Sequence, residues 1–222
     1  ATEFTFYLRP KAQWSNGDPV TADDFVFAIT RALNPGTGSV AEDMLSLVNA
    51  RAYAAGEVDA SALGVYAEDE HTLVIRLEES NPDFPALTAG THYMPCNRSY
   101  FEACAGHYGL SSQYVISNGP FTFSSVYAWQ TDPGERSLRL TRSDTYRGDR
   151  TVQPANVTFL IDYDDAYDQD PVQALLEGNV DILTLPETLA QQAEEAGCGV
   201  LSLDDAVTGL LLNPRSEKLE NR

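Results

Sequence analysis

Acidic side chains are the most obvious candidates for chemistry in this sequence. Five aspartates lie within one short segment, at Asp162, Asp164, Asp165, Asp168 and Asp170. Closely spaced carboxylates bind hard cations such as Ca²⁺, and a carboxylate pair is also the machinery of glycosidases. A calcium loop needs a central glycine and a closing glutamate, but Tyr167 and Gln173 stand at those positions. The segment therefore favours a solvated loop that caps a helix opening at Pro171, with a weak cation site as the alternative.

The cysteines and histidines do not show the spacing of a metal site or of an activated nucleophile. A free buried thiol is the simpler expectation for each cysteine, although Cys96 and Cys104 are close enough to pair across a short loop. The histidines are expected at the surface; they are His71, His92 and His107. The sequence contains no G-x-S-x-G elbow and no glycine-rich phosphate loop. We therefore expect that the chain is not an enzyme and that it binds no metal ion and no cofactor.

The strongly acidic composition argues against some classes of binding partner. The 222 residues include 33 acidic and 14 basic side chains, for a formal net charge of −19. Such a field repels nucleic acid and anionic membrane surfaces. The hydrophobic fraction of 43% predicts a folded protein with one large or two small domains, and no apolar run is long enough to span a membrane.

Local patterns near the start of the chain predict a strand, a tight turn and a helix. Residues 4–9 alternate like a half-buried strand, and Asn16-Gly17 is a turn pair that tolerates positive φ. Thr21 is a good N-cap for a helix that ends near residues 33–36. Its buried side is expected to be formed by Phe25, Phe27, Ala28, Ile29 and Ala32.

The residue types and their order in this opening segment resemble the sequences of a known family. The stretch "TFYLRPKAQWSNGDPVTADDFVFAITRALNP" is similar to the extracytoplasmic solute-binding proteins of peptide ABC importers, the oligopeptide- and dipeptide-binding family 5. Residues 117–123 resemble the family's "NGPY" turn leading into a strand. Residues 174–182 resemble its "L-x-x-G-x-x-D-I" step from helix to strand. The three segments follow in the family's order and spacing, so the likeness covers essentially the whole chain.

The first part of the chain, residues 1–113, is predicted to be a mixed α/β subdomain. A second helix is expected from Met44 towards Tyr53, followed by a loop over residues 54–59. Residues 65–77 have the pattern of a β-hairpin with an acidic turn. Pro82 and Pro85 break the pattern before a short helix through Leu87.

The second part, residues 114–222, is predicted to be richer in strands. Residues 121–129 and 137–142 are expected to pair around a turn at residues 131–134, and residues 158–161 form a short strand. A helix is expected from Pro171 to Glu177 with Gly178 as its stop, then a strand over residues 180–183 and a helix over residues 186–196. Residues 207–212 are a last apolar run. Alternating strands and helices indicate an α/β fold.

The resemblance adds an architecture and a function to these elements. It implies a periplasmic-binding-protein-like type II lobe that is incomplete, a fragment covering much of the first lobe up to the crossover into a missing second lobe. It implies a monomeric, non-enzymatic, extracytoplasmic transport protein that captures oligopeptides and delivers them to ABC permease and ATPase subunits. A lipid anchor outside this chain is the expected link to the membrane.

The resemblance also proposes ligand-binding residues. Val207, Thr208 and Gly209 should lie near the crossover, where Thr208 offers a hydroxyl and Gly209 allows close backbone approach. Asn118 and Met44 are further candidates. The family often has aromatic residues at the crossover and this chain has none there, which leaves a non-peptide solute such as a metal chelate open. The alternative functions are an extracellular hydrolase fragment that uses the aspartate segment, and a surface adhesion module.

Overall fold

The computed structural model describes residues 1–37, 42–130, 136–149, 151–161 and 170–201, which form a mixed α/β fold. The chain divides into two compact units, residues 1–161 and residues 162–222. The boundary predicted after residue 113 falls inside the first unit and stays a prediction. In the part of the chain that the structure describes, no helix is long and apolar enough to cross a membrane.

A three-stranded antiparallel sheet forms the framework of the first unit. Its strands are β1 (Glu3–Tyr7), β2 (Val65–Asp69) and β3 (Thr72–Arg76), in the spatial order β1-β3-β2. Strands β2 and β3 are the predicted hairpin. Strand β1 alternates between exposed and half-buried residues, as its sequence predicts, whereas β3 is buried over four of its five residues because it lies in the centre.

Helix α1 (Ala22–Ala32) packs against this sheet and begins at the predicted cap. Thr21 and Asp24 form a capping box. The Thr21 side chain accepts the Asp24 backbone N–H, and the Asp24 carboxylate accepts the Thr21 backbone N–H. Ala28 and Ile29 are buried, and Phe25, Phe27 and Ala32 are half-buried. The core between helix and sheet contains Ile29, Leu33, Met44, Leu47, Tyr53, Leu73, Ile75, Leu77 and Phe84.

The second helix expected from Met44 to Tyr53 is wrong as a continuous element. A 3₁₀ helix (Glu42–Ser46) and the short α2 (Ala50–Ala54) stand in its place. Between them Leu47 forms a β-bridge with Leu77, and the Val48 N–H donates to the Arg76 carbonyl at 2.9 Å. Asn49 then adopts a left-handed φ of 60°. At Leu47 and Val48, hydrogen bonding to the segment that follows β3 therefore determines the backbone conformation, against the local helix propensity.

Two short helices complete this region. Helix α3 (Phe84–Leu87) is the short helix predicted around the prolines, and α4 (Arg98–Ala103) is capped by Asn97, whose Oδ1 accepts the Tyr100 N–H at 2.8 Å. Single 3₁₀ turns occur at Pro35–Thr37, Ala60–Ala62, Thr91–Tyr93 and Ser112–Tyr114.

A second antiparallel sheet follows, with β6 (Ser137–Arg142) at its centre. Strands β4 (Phe121–Phe123) and β5 (Trp129–Gln130) both pair with β6, and β7 (Asn156–Leu160) pairs with it as well. The single strand expected over residues 121–129 is therefore two short strands. The interruption is a turn in which the Ala128 N–H donates to the Ser125 carbonyl at 3.1 Å. The turn predicted at residues 131–134 lies outside the described residues.

Two helices lie in the described part of the second unit, residues 170–201: α5 (Pro171–Leu176) and α6 (Glu187–Glu195), at the predicted places. Asp170 caps α5 through the Gln173 N–H at 2.9 Å, and Gly178 follows with a φ of 73°. The strand predicted at residues 180–183 is not formed, and Ile182 is 88% exposed. A strand needs a hydrogen-bonded neighbour, and the described part of this unit has none. The apolar run at residues 207–212 lies outside the described residues.

Candidate ligand-binding site

Two turns that are far apart in the sequence are joined in the structure. We call residues 15–19 the SNGDP turn and residues 118–121 the NGPF turn. The Ser15 N–H donates to the Ser117 carbonyl at 2.7 Å, and the Ser117 N–H donates to Ser15 Oγ at 3.2 Å. Ser117 Oγ in turn donates to the Phe121 carbonyl at 2.8 Å. These contacts join the two ends of the NGPF turn to each other and link the turn to the SNGDP turn.

The SNGDP turn is rigid for local reasons. The Trp14 N–H donates to the Asp18 carbonyl at 2.8 Å, and the Gly17 N–H donates to the Trp14 carbonyl at 2.9 Å. Gly17 has a φ of 93°, which side chains other than glycine rarely adopt. The Asn16 amide and the Asp18 carboxylate hydrogen bond across the turn at 2.7 Å. The turn is thus held by hydrogen bonds within its own five-residue segment and to the adjoining Trp14.

A buried tryptophan–carboxylate contact connects this turn to helix α1. Trp14 Nε1 donates to Asp24 Oδ2 at 3.0 Å, and the same oxygen accepts the Thr21 N–H at 3.0 Å. Trp14 is 2% exposed and Asp24 is 7% exposed. Around the indole lies a small apolar cluster with Val20 and Ile116. Trp14 and Asp24, which belong to the segment that carries the family resemblance, are thus buried and join the turn to the helix.

A polar cleft of about 660 Å³ opens beside these residues, lined by Asp18, Thr21, Asp23, Asn97 and Arg98 among others. Asn97 Nδ2 donates to Asp18 Oδ2 at 3.2 Å, which ties the start of α4 to the SNGDP turn. Sequence reasoning missed Asn97 and Arg98 as part of this surface. They are 79 and 80 positions after Asp18, and no local pattern links segments at that distance.

The structure places two of the five predicted ligand-binding residues. Asn118 is half-buried in the NGPF turn. Met44 is fully buried in the main core, and its side chain has no exposed surface in this structure for a solute. The structure therefore does not bring these two residues together at one surface. Val207, Thr208 and Gly209 lie outside the described residues, as do four of the five clustered aspartates, and Asp170 acts as a helix cap.

The cysteines are free thiols in this structure, including the candidate pair. Cys96 and Cys104 are buried and Cys198 is half-buried. Burial raises the pKa of the Cys96 thiol, and burial together with a hydrogen bond to Cys96 raises the pKa of the Tyr108 phenol. Both groups are therefore neutral at ordinary pH, which does not suit a nucleophile.

The three histidines lie at or near the surface of the first unit. His92 and His107 are exposed, and His71 is half-buried in the turn between β2 and β3. Within the described residues, no group of three histidine, cysteine or acidic side chains is placed to hold a metal ion.

Comparison with known proteins identifies relatives over most of this chain. The dipeptide-binding protein DppE of Bacillus subtilis is 30% identical over 190 residues, which are 85% of this chain and 33% of DppE. The probable deoxycholate-binding periplasmic protein YgiS of Escherichia coli is 40% identical over 121 residues, 53% of this chain and 22% of YgiS. The crystal structure of Haemophilus influenzae OppA in complex with RPPGFSPFR superimposes with a TM-score of 0.73 at 27% identity, covering 88% of this chain and 37% of that one.

These matches also set the extent of the likeness. The chain spans about a quarter to a third of the length of the curated relatives it matches. The model of the "Bacterial extracellular solute-binding proteins, family 5 Middle" matches residues 1–222, the whole of the chain. The chain therefore belongs to the family 5 bacterial extracellular solute-binding proteins.

Proposed function

We propose that the protein carrying this chain is the solute-binding component of an ABC importer that captures oligopeptides outside the cytoplasm. The observation that carries the proposal is the family match over residues 1–222. The names of DppE and of the OppA–peptide complex support peptide as the solute. Permease and ATPase subunits are the partners in this proposal, the protein acts as a monomer without catalysis, and a lipid anchor outside this chain holds it at the membrane.

The mechanism in this proposal is closure of two lobes around an extended peptide, a shift between open and closed states that the solute drives. A peptide offers the same backbone donors and acceptors whatever its sequence, so a receptor that reads the backbone accepts many peptides. The NGPF turn suits such a contact because Asn118 offers an amide donor and acceptor. Gly119 has no atom within 4 Å of the position a Cβ would take, so a peptide backbone has room to approach.

Val207, Thr208 and Gly209 complete the proposed contacts from the crossover segment. A threonine hydroxyl can donate and accept hydrogen bonds, and a glycine has no side chain to obstruct a peptide backbone. The relatives named above support neither a hydrolase that uses the aspartate segment nor an adhesion module.

The test is a thermal unfolding screen of the full-length protein with pools of di- to octapeptides. Separate arms contain nickel chelates, oligosaccharides and, because of the relative named for it, deoxycholate. A peptide at about 100 times its Kd should add about 2.7 kcal/mol to the free energy of unfolding and raise Tm visibly. A shift with deoxycholate or chelate alone would overturn peptide as the solute and keep the family. No shift in any arm would return the adhesion role to consideration.

A substitution tests the proposed contact itself. Asn118→Ala should weaken the peptide-induced shift and leave the Tm of the free protein close to that of the parent. Asn156→Ala is the matched control because Asn156 is exposed at the start of β7, outside the proposed contact. Equal peptide affinity in the parent and Asn118→Ala would remove Asn118 from the site.

A further inference from the structure

The tripeptide Ser-Asn-Gly occurs twice in this chain, at residues 15–17 and at residues 117–119, and no other asparagine precedes a glycine. An asparagine followed by glycine is chemically labile, because no Cβ obstructs the approach of the glycine nitrogen to the asparagine side chain. The two sites share the residue before the asparagine as well as the reacting pair. The folded structure around Asn16 and Asn118 therefore determines most of the difference between their rates of deamidation.

Deamidation consumes water and releases ammonia. The backbone nitrogen of the glycine loses its proton to solvent base and forms a bond with the asparagine Cγ. The bond from Cγ to the side-chain nitrogen breaks, and ammonia leaves with a proton from solvent. Water then opens the resulting cyclic succinimide at either of its carbonyls and gives aspartate or isoaspartate. A hydrogen bond that engages the glycine N–H or the carboxamide slows this reaction, because it has to break first.

In the SNGDP turn both reacting groups are engaged. The Gly17 N–H donates to the Trp14 carbonyl at 2.9 Å. The Asn16 carboxamide donates to Asp18 Oδ2 at 2.7 Å and accepts the Asp18 N–H at 3.1 Å. The contact with the Asp18 carboxylate is charge-assisted, which makes it the strongest of the three. Asn16 is exposed to solvent, so these hydrogen bonds and not burial protect it.

In the NGPF turn neither reacting group is engaged. Among the residues that the structure describes, the Gly119 N–H donates no hydrogen bond and the Asn118 carboxamide has no partner. Ser117 Oγ donates to the Phe121 carbonyl at 2.8 Å, so the hydrogen bonds of this turn lie on either side of the reacting pair. Both residues of the pair are half-buried, which leaves them in contact with water. Nothing lies within 4 Å of the position of a Gly119 Cβ.

We propose that Asn118 is a site of spontaneous deamidation and that hydrogen bonding protects Asn16 from the same reaction. As the protein ages, the NGPF turn exchanges a neutral amide for a carboxylate, and in the isoaspartyl product the backbone also gains a methylene group. One consequence rests on the proposed function. A carboxylate cannot donate a hydrogen bond to a peptide carbonyl, so the modified protein captures peptides more weakly.

The test is peptide mapping by mass spectrometry of the full-length protein, aged in mildly alkaline buffer. The two Ser-Asn-Gly sites lie in different tryptic peptides, since Arg31 and Arg98 separate them. Enzymatic methylation specific for isoaspartate identifies the product. We expect deamidation at Asn118 to be at least about tenfold faster than at Asn16, because the hydrogen bonds at Asn16 have to break first. In urea these bonds are lost, and the two rates should become similar.

Two variants each change one of the sites. Gly119→Ala places a methyl group beside the attacking nitrogen and should slow deamidation at Asn118 by at least about tenfold. The open space at this position lets the variant fold as the parent does. Asp18→Ala removes the carboxylate that holds the Asn16 amide, so deamidation at Asn16 should become faster. The rate at Asn118 in Asp18→Ala is the internal control and should stay that of the parent.

Three results would overturn the proposal. The first is a rate at Asn16 that equals or exceeds the rate at Asn118 in the folded protein, which would make exposure the determinant. The second is deamidation of Asn118 in urea but not in the folded protein. The third is an unchanged rate at Asn118 in Gly119→Ala, which would exclude attack by the glycine nitrogen.

The consequence for capture is measured separately, with Asn118→Asp in the peptide screen. A smaller peptide-induced Tm shift than in the parent supports it, and an equal shift contradicts it. No shift in either protein would count against the proposed function, whereas the deamidation rates from mass spectrometry decide the modification site without any ligand.

Discussion

At the scale of single residues, the Asp24 carboxylate has two structural tasks at once. One of its oxygens accepts both the buried Trp14 indole N–H and the Thr21 backbone N–H that opens α1. Asp24→Ala removes the acceptor of both hydrogen bonds and leaves the indole N–H buried without a partner. We expect the free energy of unfolding to fall by about 2–4 kcal/mol, since a hydrogen bond to a charged group contributes about 1.5–3 kcal/mol and an unpaired buried donor adds its own penalty.

The neighbouring Asp23 provides the comparison. It is also in the first turn of α1 but is exposed. Asp23→Ala should cost less than about 1 kcal/mol, which is the contribution of an acidic residue to the helix dipole. Urea unfolding of both variants measures the difference. Equal losses in the two would mean that the indole contact contributes nothing.

The Asp69 carboxyl makes the free energy of unfolding depend on pH. Its pKa lies below the ordinary value mainly because the carboxylate accepts the backbone N–H of His71 at 2.8 Å. The Thr72 hydroxyl, which donates to it at 2.9 Å, is the second cause. A carboxyl with a lowered pKa in the folded state stabilises above its unfolded pKa, and this contribution is lost as the pH falls through the folded pKa. An NMR titration should find the Asp69 pKa below that of an aspartate in the unfolded chain, and Thr72→Val should move it upwards. An unchanged pKa in Thr72→Val would show that the hydroxyl has no part in the shift.

At the scale of elements, Gly64 determines how closely the hairpin approaches the segment before α2. Its N–H donates to the Val48 carbonyl at 2.9 Å, and a Cβ here would lie 2.7 Å from both the Arg76 carbonyl oxygen and Val48 Cβ. Gly64→Ala must push backbone apart, so we expect a loss of about 1–3 kcal/mol in the free energy of unfolding. Gly119→Ala is the control, because nothing lies within 4 Å of its Cβ position. It should be within about 0.5 kcal/mol of the parent, and equal losses would contradict a steric cause.

The elements that sequence reasoning predicted well are those with local causes. Helix α1 has a capping residue and a periodic apolar face, and the β2–β3 hairpin alternates around an acidic turn. The prediction failed where a partner that is distant in the sequence determines the local structure. The segment at Leu47 leaves the helix because Leu77 is its partner, and residues 180–183 form no strand because an alternating pattern does not supply a neighbour.

The candidate site is less accessible to sequence reasoning than the fold. The motifs at residues 15–19 and 117–123 stand out separately, but their contact depends on Ser15 and Ser117, which are 102 positions apart. Asn97 likewise enters the cleft through a contact 79 positions away. A motif also does not reveal its role, since Trp14 and Asp24 belong to the family pattern and are buried structural residues.

At the scale of the whole molecule, the net charge of −19 predicts how stability depends on salt. Like charges repel most in the compact state, and salt screens that repulsion. The ion pairs among the described residues, Arg9–Asp149 and Arg76–Glu3, work in the opposite direction, but both are exposed to solvent and contribute little. Tm should therefore rise by roughly a few degrees as NaCl increases from about 0.02 M to 0.5 M, measured by differential scanning calorimetry. A constant or falling Tm would mean that local ion pairs outweigh the overall repulsion.

The long reach of the Ser15–Ser117 pair has a consequence for the order in which the chain acquires structure during synthesis. Strand β1 finds its partner once residues 72–81 have emerged, since Ala1 and Thr2 already contact Asn81 and Leu77. Trp14 finds Ile116 and the SNGDP turn finds Ser117 only later. We expect a nascent chain that has formed the first sheet to leave the indole partly uncovered until Ile116 follows. An apolar group exposed in this way is a target for chaperones.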